Sequence, residues 1–232
     1  MLQVRRSLER GFFDHGWLKT YHTFSFGDYH DAAWVDYGPL RVINDDRVAP
    51  GEGFGKHGHR DMEILTYILA GELEHRDSLG NGSVIRVGDV QRMSAGTGVL
   101  HSEFNPSGDE EVHLLQIWIR PAAEHLAPEY EQKHFSAAEK RGRLCLIAAG
   151  DGAHGAVRIH QDARVYAGLF DRDERAQLSV PQGRRAWVHV ARGELALNET
   201  RLSAGDGAGA AGPLRLEVHD GDRAEVLVFD LP

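Results

Sequence analysis

Ile68-Leu69-Ala70-Gly71-Glu72-Leu73, followed further on by Val87-Gly88-Asp89, is the stretch on which the fold turns, because the chain repeats its pattern. In the second half Val188-His189-Val190-Ala191 runs into Arg192-Gly193-Glu194-Leu195 and then reaches Ala204-Gly205-Asp206. An apolar strand, a Gly-Glu-Leu turn, a further strand and a Gly-Asp turn, present twice, predict two copies of one β-barrel unit. Working outward, 27 glycines recur between short apolar runs, the mark of many strands joined by tight turns. Strands are expected over 40–43, 63–69, 84–87, 112–119, 186–190, 214–218 and 226–231. Helical periodicity is weak everywhere, with short helices expected only at 128–132 and 136–140. Both lie in a polar stretch, 121–143, that marks the boundary between domains at 1–130 and 131–232. The expected class is therefore all-β, with two β-barrel (jelly-roll) domains.

With 232 residues and 41% apolar content the chain has enough material for real cores. A formal net charge of -9 argues against nucleic acid or an anionic membrane as partner, since attraction to phosphates needs an excess of Lys and Arg. Small molecules or proteins are the expected partners. Met1-Leu2-Gln3-Val4-Arg5-Arg6 leads into no apolar run, which reads against a secretory signal and for a cytoplasmic protein. The single cysteine, Cys145, sits in the apolar run Leu144-Cys145-Leu146-Ile147 and is read as a small buried hydrophobe. One thiol excludes a cysteine-rich zinc site or a four-cysteine cluster.

Chemistry concentrates in two pairs. Gly51-Glu52-Gly53-Phe54-Gly55-Lys56 leads into His57-Gly58-His59, and Met93-Ser94-Ala95-Gly96-Thr97-Gly98 leads toward His101-Ser102-Glu103. On a strand, residues i and i+2 share a face, so two such pairs on neighbouring strands aim four side chains at one point. The 73–92 segment is long enough for the hairpin that brings the strands together. No Gly-Lys-Ser/Thr follows the first glycine-rich approach, which removes a phosphate-loop reading. Imidazoles suit zinc, copper, iron and nickel, and a carboxylate with open positions is typical of non-haem iron(II) oxygen chemistry. The second half carries no His-x-His before its Gly-Glu-Leu turn, and His154, His160, His189 and His219 are scattered. It is expected to be a degenerate barrel with a structural role.

At these residues the chain resembles the cupin superfamily and, more narrowly, the pirin family, near the bacterial pirin-like quercetinases. The resemblance runs over nearly the whole length. It rests on Gly16-Trp17-Leu18, on His22-Thr23-Phe24-Ser25-Phe26, on Arg41-Val42-Ile43-Asn44-Asp45-Asp46 and on the run from Phe54 to Tyr67. Met93 to Gly98, His101-Ser102-Glu103 and Gln116-Ile117-Trp118 complete it. It implies a bicupin whose N-terminal barrel binds one divalent metal, iron(II) foremost with Cu, Ni, Mn, Co or Zn able to substitute, and whose C-terminal barrel has lost its ligands. The implied ligands are His57, His59, His101 and Glu103. General cupins take their carboxylate from the first motif, here Glu63, which shares strand parity with His59; the His-Ser-Glu block favours Glu103.

The implied activity is that of a quercetin 2,3-dioxygenase, opening a flavonol ring with O2 and releasing CO, with Glu103 as both ligand and base. Phe26, Phe54, Tyr67 and Trp118 are candidates for stacking on a flat substrate. His22, His30, His75 and His113 read as structural histidines. The alternative the resemblance raises is an iron-dependent, redox-sensing binding protein that acts on a transcription factor or metabolic enzyme.

Overall fold

The computed structural model describes residues 2–232. Strands take 60% of the chain and helix 4%, far from the mixture of an average globular domain and in line with an all-β bicupin. No helix among the described residues is long and apolar enough to cross a membrane.

Two compact units are present. The first comprises residues 11–134 and 157–161. Its larger sheet runs in the order Glu129–His134, Asp89–Ser94, Glu63–Ala70, Val112–Ile119, Leu40–Val48, Leu18–His22, Gly11–Asp14. Its smaller sheet runs Gly53–His59, Val99–Phe104, Glu72–Asp77, Gly82–Arg86. All pairings are antiparallel. Between the sheets Leu18, Val48, Ile68, Leu73, Ile85, Val112 and Leu114 form a buried cluster, with Trp17 and Phe54 packed against it. Each such side chain contributes about 1.5–3 kcal/mol by leaving water.

The second unit comprises residues 2–10, 135–156 and 162–232. Gln3–Arg5 pairs with Gly207–Ala211, which continues through Arg185–Leu197, Leu214–Leu231 and Arg164–Arg172 to Cys145–Ala149. Its main buried cluster is apolar, built from Val188, Val190, Leu195, Leu197, Leu202, Leu216, Val226, Val228 and their neighbours, and His189, Lys140, Asp206 and Glu225 are buried as well.

The repeated motif has one physical cause in both units. Gly71 and Gly193 adopt φ of 72° and 65°, the left-handed region that a side chain disfavours. A Cβ would meet the Glu111 carbonyl oxygen at 3.0 Å in one case and that of Asp222 at 2.2 Å in the other. In the first unit the turn hands the chain from the larger sheet to the smaller one. In the second it falls inside Arg185–Leu197, where the register shifts between Arg192 and Glu194. The Gly-Asp turns match as closely: Asp89 Oδ2 accepts from Arg86 N at 3.0 Å, and Asp206 Oδ2 from Ser203 N at 3.1 Å.

One expected helix is absent. Residues 128–132 fall on the strand Glu129–His134, registered Glu129↔Ser94 to His134↔Asp89. An open sheet edge overrides a weak local preference in a polar segment, because pairing satisfies every second backbone group of Asp89–Ser94. The other expected helix forms at Ala137–Lys140, where the Ser136 hydroxyl accepts from Glu139 N and the Glu139 carboxylate accepts from Ser136 N.

Candidate metal centre

Gly53–His59 and Val99–Phe104 lie side by side in the smaller sheet, with His101 directly opposite His57 and Val99 opposite His59. Alternation along Val99–Phe104 buries His101 and Glu103 at 2% exposure each and turns Leu100 and Phe104 outward. Between His101 and Glu103 the register slips, so that Glu103 faces Phe54. This bulge places an extra residue of the glycine-rich strand in the ladder and turns the Gly55 carbonyl back toward His57. The His57 Nδ1–H donates to that carbonyl at 2.7 Å, which leaves Nε2 with the free lone pair.

The three imidazoles converge. Ring centroids are 4.4 Å apart for His57 and His101, and 4.8 Å for His57 and His59 and for His59 and His101. One ring nitrogen from each lies within 4.8 Å of the others. His57 Nε2 and His101 Nε2 are 3.0 Å apart, and two nitrogens about 2.1 Å from one ion at a right angle would stand at about that separation. Burial, with the neighbouring imidazoles next, pushes the pKa of His59 down to about 4 and that of His101 down to about 3. Both are neutral near pH 7, the state in which imidazole binds a metal. The residues present therefore fit a metal ion.

Glu103 stands in the wall of the same cavity, a space of about 470 Å³ edged also by Trp17, Phe26, Asn44, Asp46, Phe54, His57, His59, Gln116 and Trp118. Gln116 Nε2 donates to its Oε2 at 3.0 Å, and the Thr66 hydroxyl lies 3.4 Å from Oε1. Burial first, and the charge of Asp46 second, push the Glu103 pKa up to about 7. Asp46 is raised to about 7 in turn, mainly by burial.

Glu63 is placed elsewhere. Its Oε2 accepts from Ser94 Oγ at 2.8 Å and from His160 N at 3.2 Å, and Oε1 lies 3.3 Å from His160 Nδ1. Parity with His59 does not carry across, because Asp61 sits at φ 47° and the chain changes sheets there. Of the four candidate aromatics, Phe26, Phe54 and Trp118 line the cavity, with Trp118 edge-on to His59 at 4.9 Å and to Phe26 at 5.2 Å. Tyr67 does not; it is buried within its sheet. Burial pushes the Cys145 thiol up, as suits a bland packing role.

Two features of the site had not been expected. His75, read as structural, is wholly buried against His101 and shares a ligand-sized cluster with His101 and Glu103. Asn44 and Asp46 form part of the cavity wall. Their signal was present: Asn44 and Asp46 stand at i and i+2 in the strand Leu40–Val48, the spacing that puts two side chains on one face.

A barrel with an apolar shell, a cavity at its mouth and three converging imidazoles defines the class: a cupin with a candidate histidine metal centre. Within that class the chain belongs to the pirin family. The pirin family model matches residues 1–119, and a model described as the quercetinase C-terminal cupin domain matches residues 146–231. A protein of Escherichia coli strain K12 named quercetin 2,3-dioxygenase is 42% identical over 232 residues, covering 100% of this chain and 99% of its own. A pirin-like protein of Caulobacter vibrioides is 39% identical, covering 94% of each. The crystal structure of the bacterial pirin YhhW from Escherichia coli in complex with nickel(II) superposes with a TM-score of 0.95 at 42% identity, covering 100% of this chain and 99% of that one.

Proposed function

We propose that this protein is a metal-dependent dioxygenase for flavonols or related enolic aromatics, with His57, His59, His101 and Glu103 as ligands of one iron(II). Imidazoles with a carboxylate and an open side are the donor set of non-haem iron(II); one relative named above carries a quercetin 2,3-dioxygenase name, and one solved structure is a complex with nickel(II). Copper, nickel, manganese, cobalt and zinc compete for such a set, nickel, copper and zinc binding N/O ligands more tightly than iron. The observation that carries the reading is the placement of Glu103: a buried carboxyl, held by Gln116, facing a cavity edged by Trp17, Phe26, Phe54 and Trp118.

The bound ion would supply charge stabilisation for a deprotonated enol and a common centre for substrate and dioxygen. Glu103 takes the proton of the flavonol 3-hydroxyl onto a carboxylate oxygen, as general base within reach of the cavity. Gln116 Nε2 holds the carboxylate in place at 3.0 Å while this happens. The aromatic walls stack on the flat ring system and exclude water from it. Loss of the proton makes the central ring electron-rich. Dioxygen then enters with both oxygen atoms retained in the ring-opened ester, and one ring carbon leaves as carbon monoxide.

Purified protein with its metal quantified, incubated with quercetin in air and without oxygen, tests this. The expected result is oxygen-dependent loss of flavonol absorbance with carbon monoxide in the headspace, both absent in His101→Ala. Protein loaded in turn with iron, copper, nickel, manganese and cobalt that consumes no flavonol sinks the proposal.

A further inference from the structure

Behind His101 runs a chain of hydrogen-bonding groups that the reaction itself does not use. The His75 side chain is fully buried, and its Nδ1 lies 3.5 Å from His101 Nδ1. On its far side His75 Nε2 lies 3.2 Å from Asp77 Oδ2, whose side chain is also fully buried. Asp77 is held in turn: Leu79 N and Asn81 N donate to its Oδ1 at 2.9 and 3.0 Å, and Asn81 Nδ2 donates to Oδ2 at 2.9 Å. Tyr130 stacks on the His75 ring at 5.1 Å and 30°, which sets the plane of the imidazole.

The protons in this chain have one consistent arrangement. A carboxylate only accepts, so the proton between Asp77 and His75 sits on His75 Nε2. A neutral imidazole carries one N–H, so His75 Nδ1 is an acceptor. It can then face only an N–H, which puts the His101 proton on Nδ1. His101 Nε2 is left with the lone pair, and it is this nitrogen that lies 3.0 Å from His57 Nε2. On the other side of the centre the Gly55 carbonyl does the same for His57.

We propose that Asp77 and His75 are positioning residues that lock His101 in the Nδ1–H tautomer and hold its Nε2 ready for the metal. Outer groups that orient a ligating histidine in this way typically contribute about 10–100-fold to metal affinity. The inference rests on His101 being a ligand, as proposed above, but its central claim is a tautomer that exists in the metal-free protein. His75 is not assigned as a ligand, because both its ring nitrogens are engaged.

The test uses the full-length protein with 15N-labelled histidine, and zinc(II) as a diamagnetic probe of affinity by chelator competition. Asp77→Asn keeps an oxygen for the Leu79 and Asn81 amides but offers His75 an N–H. His75 must then carry its proton on Nδ1 and His101 on Nε2. The expected outcome is a switch of His101 to the Nε2–H tautomer in the metal-free variant and zinc binding weaker by about 10–100-fold. His75→Phe removes the acceptor and should weaken zinc equally, whereas His75→Asn, whose amide oxygen can stand near the Nδ1 position, should restore affinity to within about threefold of the original. An Asp77→Asn protein that keeps the His101 Nδ1–H tautomer and the original zinc affinity overturns the proposal, as does His75→Asn binding as poorly as His75→Phe. If Asp77→Asn does not fold, the pair of His75 variants decides. Original protein that takes up no zinc yet shows the Nδ1–H tautomer would sink the metal reading, and with it the metal-positioning role, while the tautomer lock itself would stand.

Discussion

The interior of the first unit holds His75, His101, Glu103, Asp46, Gln91, Arg92 and Thr66, all at most 4% exposed, while the corresponding space in the second is filled by Val188, Val190, Leu195, Leu197, Val226 and Val228. The turns around these interiors are the same. Gly71 and Gly193 take the same backbone conformation, and Asp89 and Asp206 close the same loop with the same bond. A barrel of this kind is therefore specified at its corners and is indifferent, as a fold, to what its inward-facing positions carry. The difference lies in stability. Buried polar groups lower it unless each is bonded, so the first unit satisfies Glu103 through Gln116 and Thr66, and Glu63 through Ser94 and His160. The second unit buries fewer such groups, among them His189, Lys140, Asp206 and Glu225, and gathers apolar side chains into its main cluster.

The comparison breaks most visibly if the second interior turns out to matter for the first. Leu195→Ala removes a fully buried side chain from the second unit and should lower stability by about 2–5 kcal/mol in denaturant unfolding. Metal stoichiometry should stay unchanged; a variant that folds and yet loses its metal would show that the second barrel supports the site directly.

Next in size is the choice between the two glutamates. Glu63→Gln weakens charge-assisted bonds from Ser94 and His160 and should cost about 1.5–3 kcal/mol in unfolding while leaving zinc affinity within about threefold. Loss of zinc binding in Glu63→Gln, with retention in Glu103→Gln, would reverse the assignment of the carboxylate.

The smallest effect, about 1.4 kcal/mol per pH unit, sharpens the polar character of the first interior. The Glu103 carboxyl is raised from 4.5 to about 7 in the metal-free protein, so below pH 7 a metal must displace its proton. Zinc affinity should fall up to tenfold per unit as pH drops from 7 toward 5, and Glu103→Gln should flatten that part of the profile. His59 and His101, at about 4 and 3, are already neutral in that window and add no slope. For the metal-free fold the sign is opposite. Between pH 4.5 and 7 the folded state holds the Glu103 proton that the unfolded chain has released, so this group's contribution to stability declines as pH rises. Calorimetric proton release on zinc binding, measured in two buffers, and unfolding of Glu103→Gln against the original protein check both directions.

Much of this was legible in the residues. Glycines at forced φ are position-specific, so the repeated Gly-Glu-Leu and Gly-Asp turns announced two related barrels. Period-two spacing put His57 with His59 and His101 with Glu103, because alternation in a strand is a local property. What failed did so where a neighbour decides. Residues 128–132 have no strong preference of their own, and it is the edge of Asp89–Ser94 that makes them a strand. Tyr67 and Trp118 look alike as aromatics in apolar strands, yet only Trp118 reaches the cavity.

The sequence by itself determined the class of fold, the doubled unit, the four candidate ligands and the loss of that pattern from the second half, since each follows from residue type and short-range spacing. Only the tertiary structure decided that Glu63 faces Ser94 and His160, that Asp46 shares the cavity wall with Glu103, and that His75 stands behind His101 with Asp77 behind it. Apart from His75 and Asp77, which stand two residues apart, those are relations across 26 to 97 residues of chain. They depend on which strands become neighbours and where a bulge shifts the register, and no local pattern of side chains contains that information.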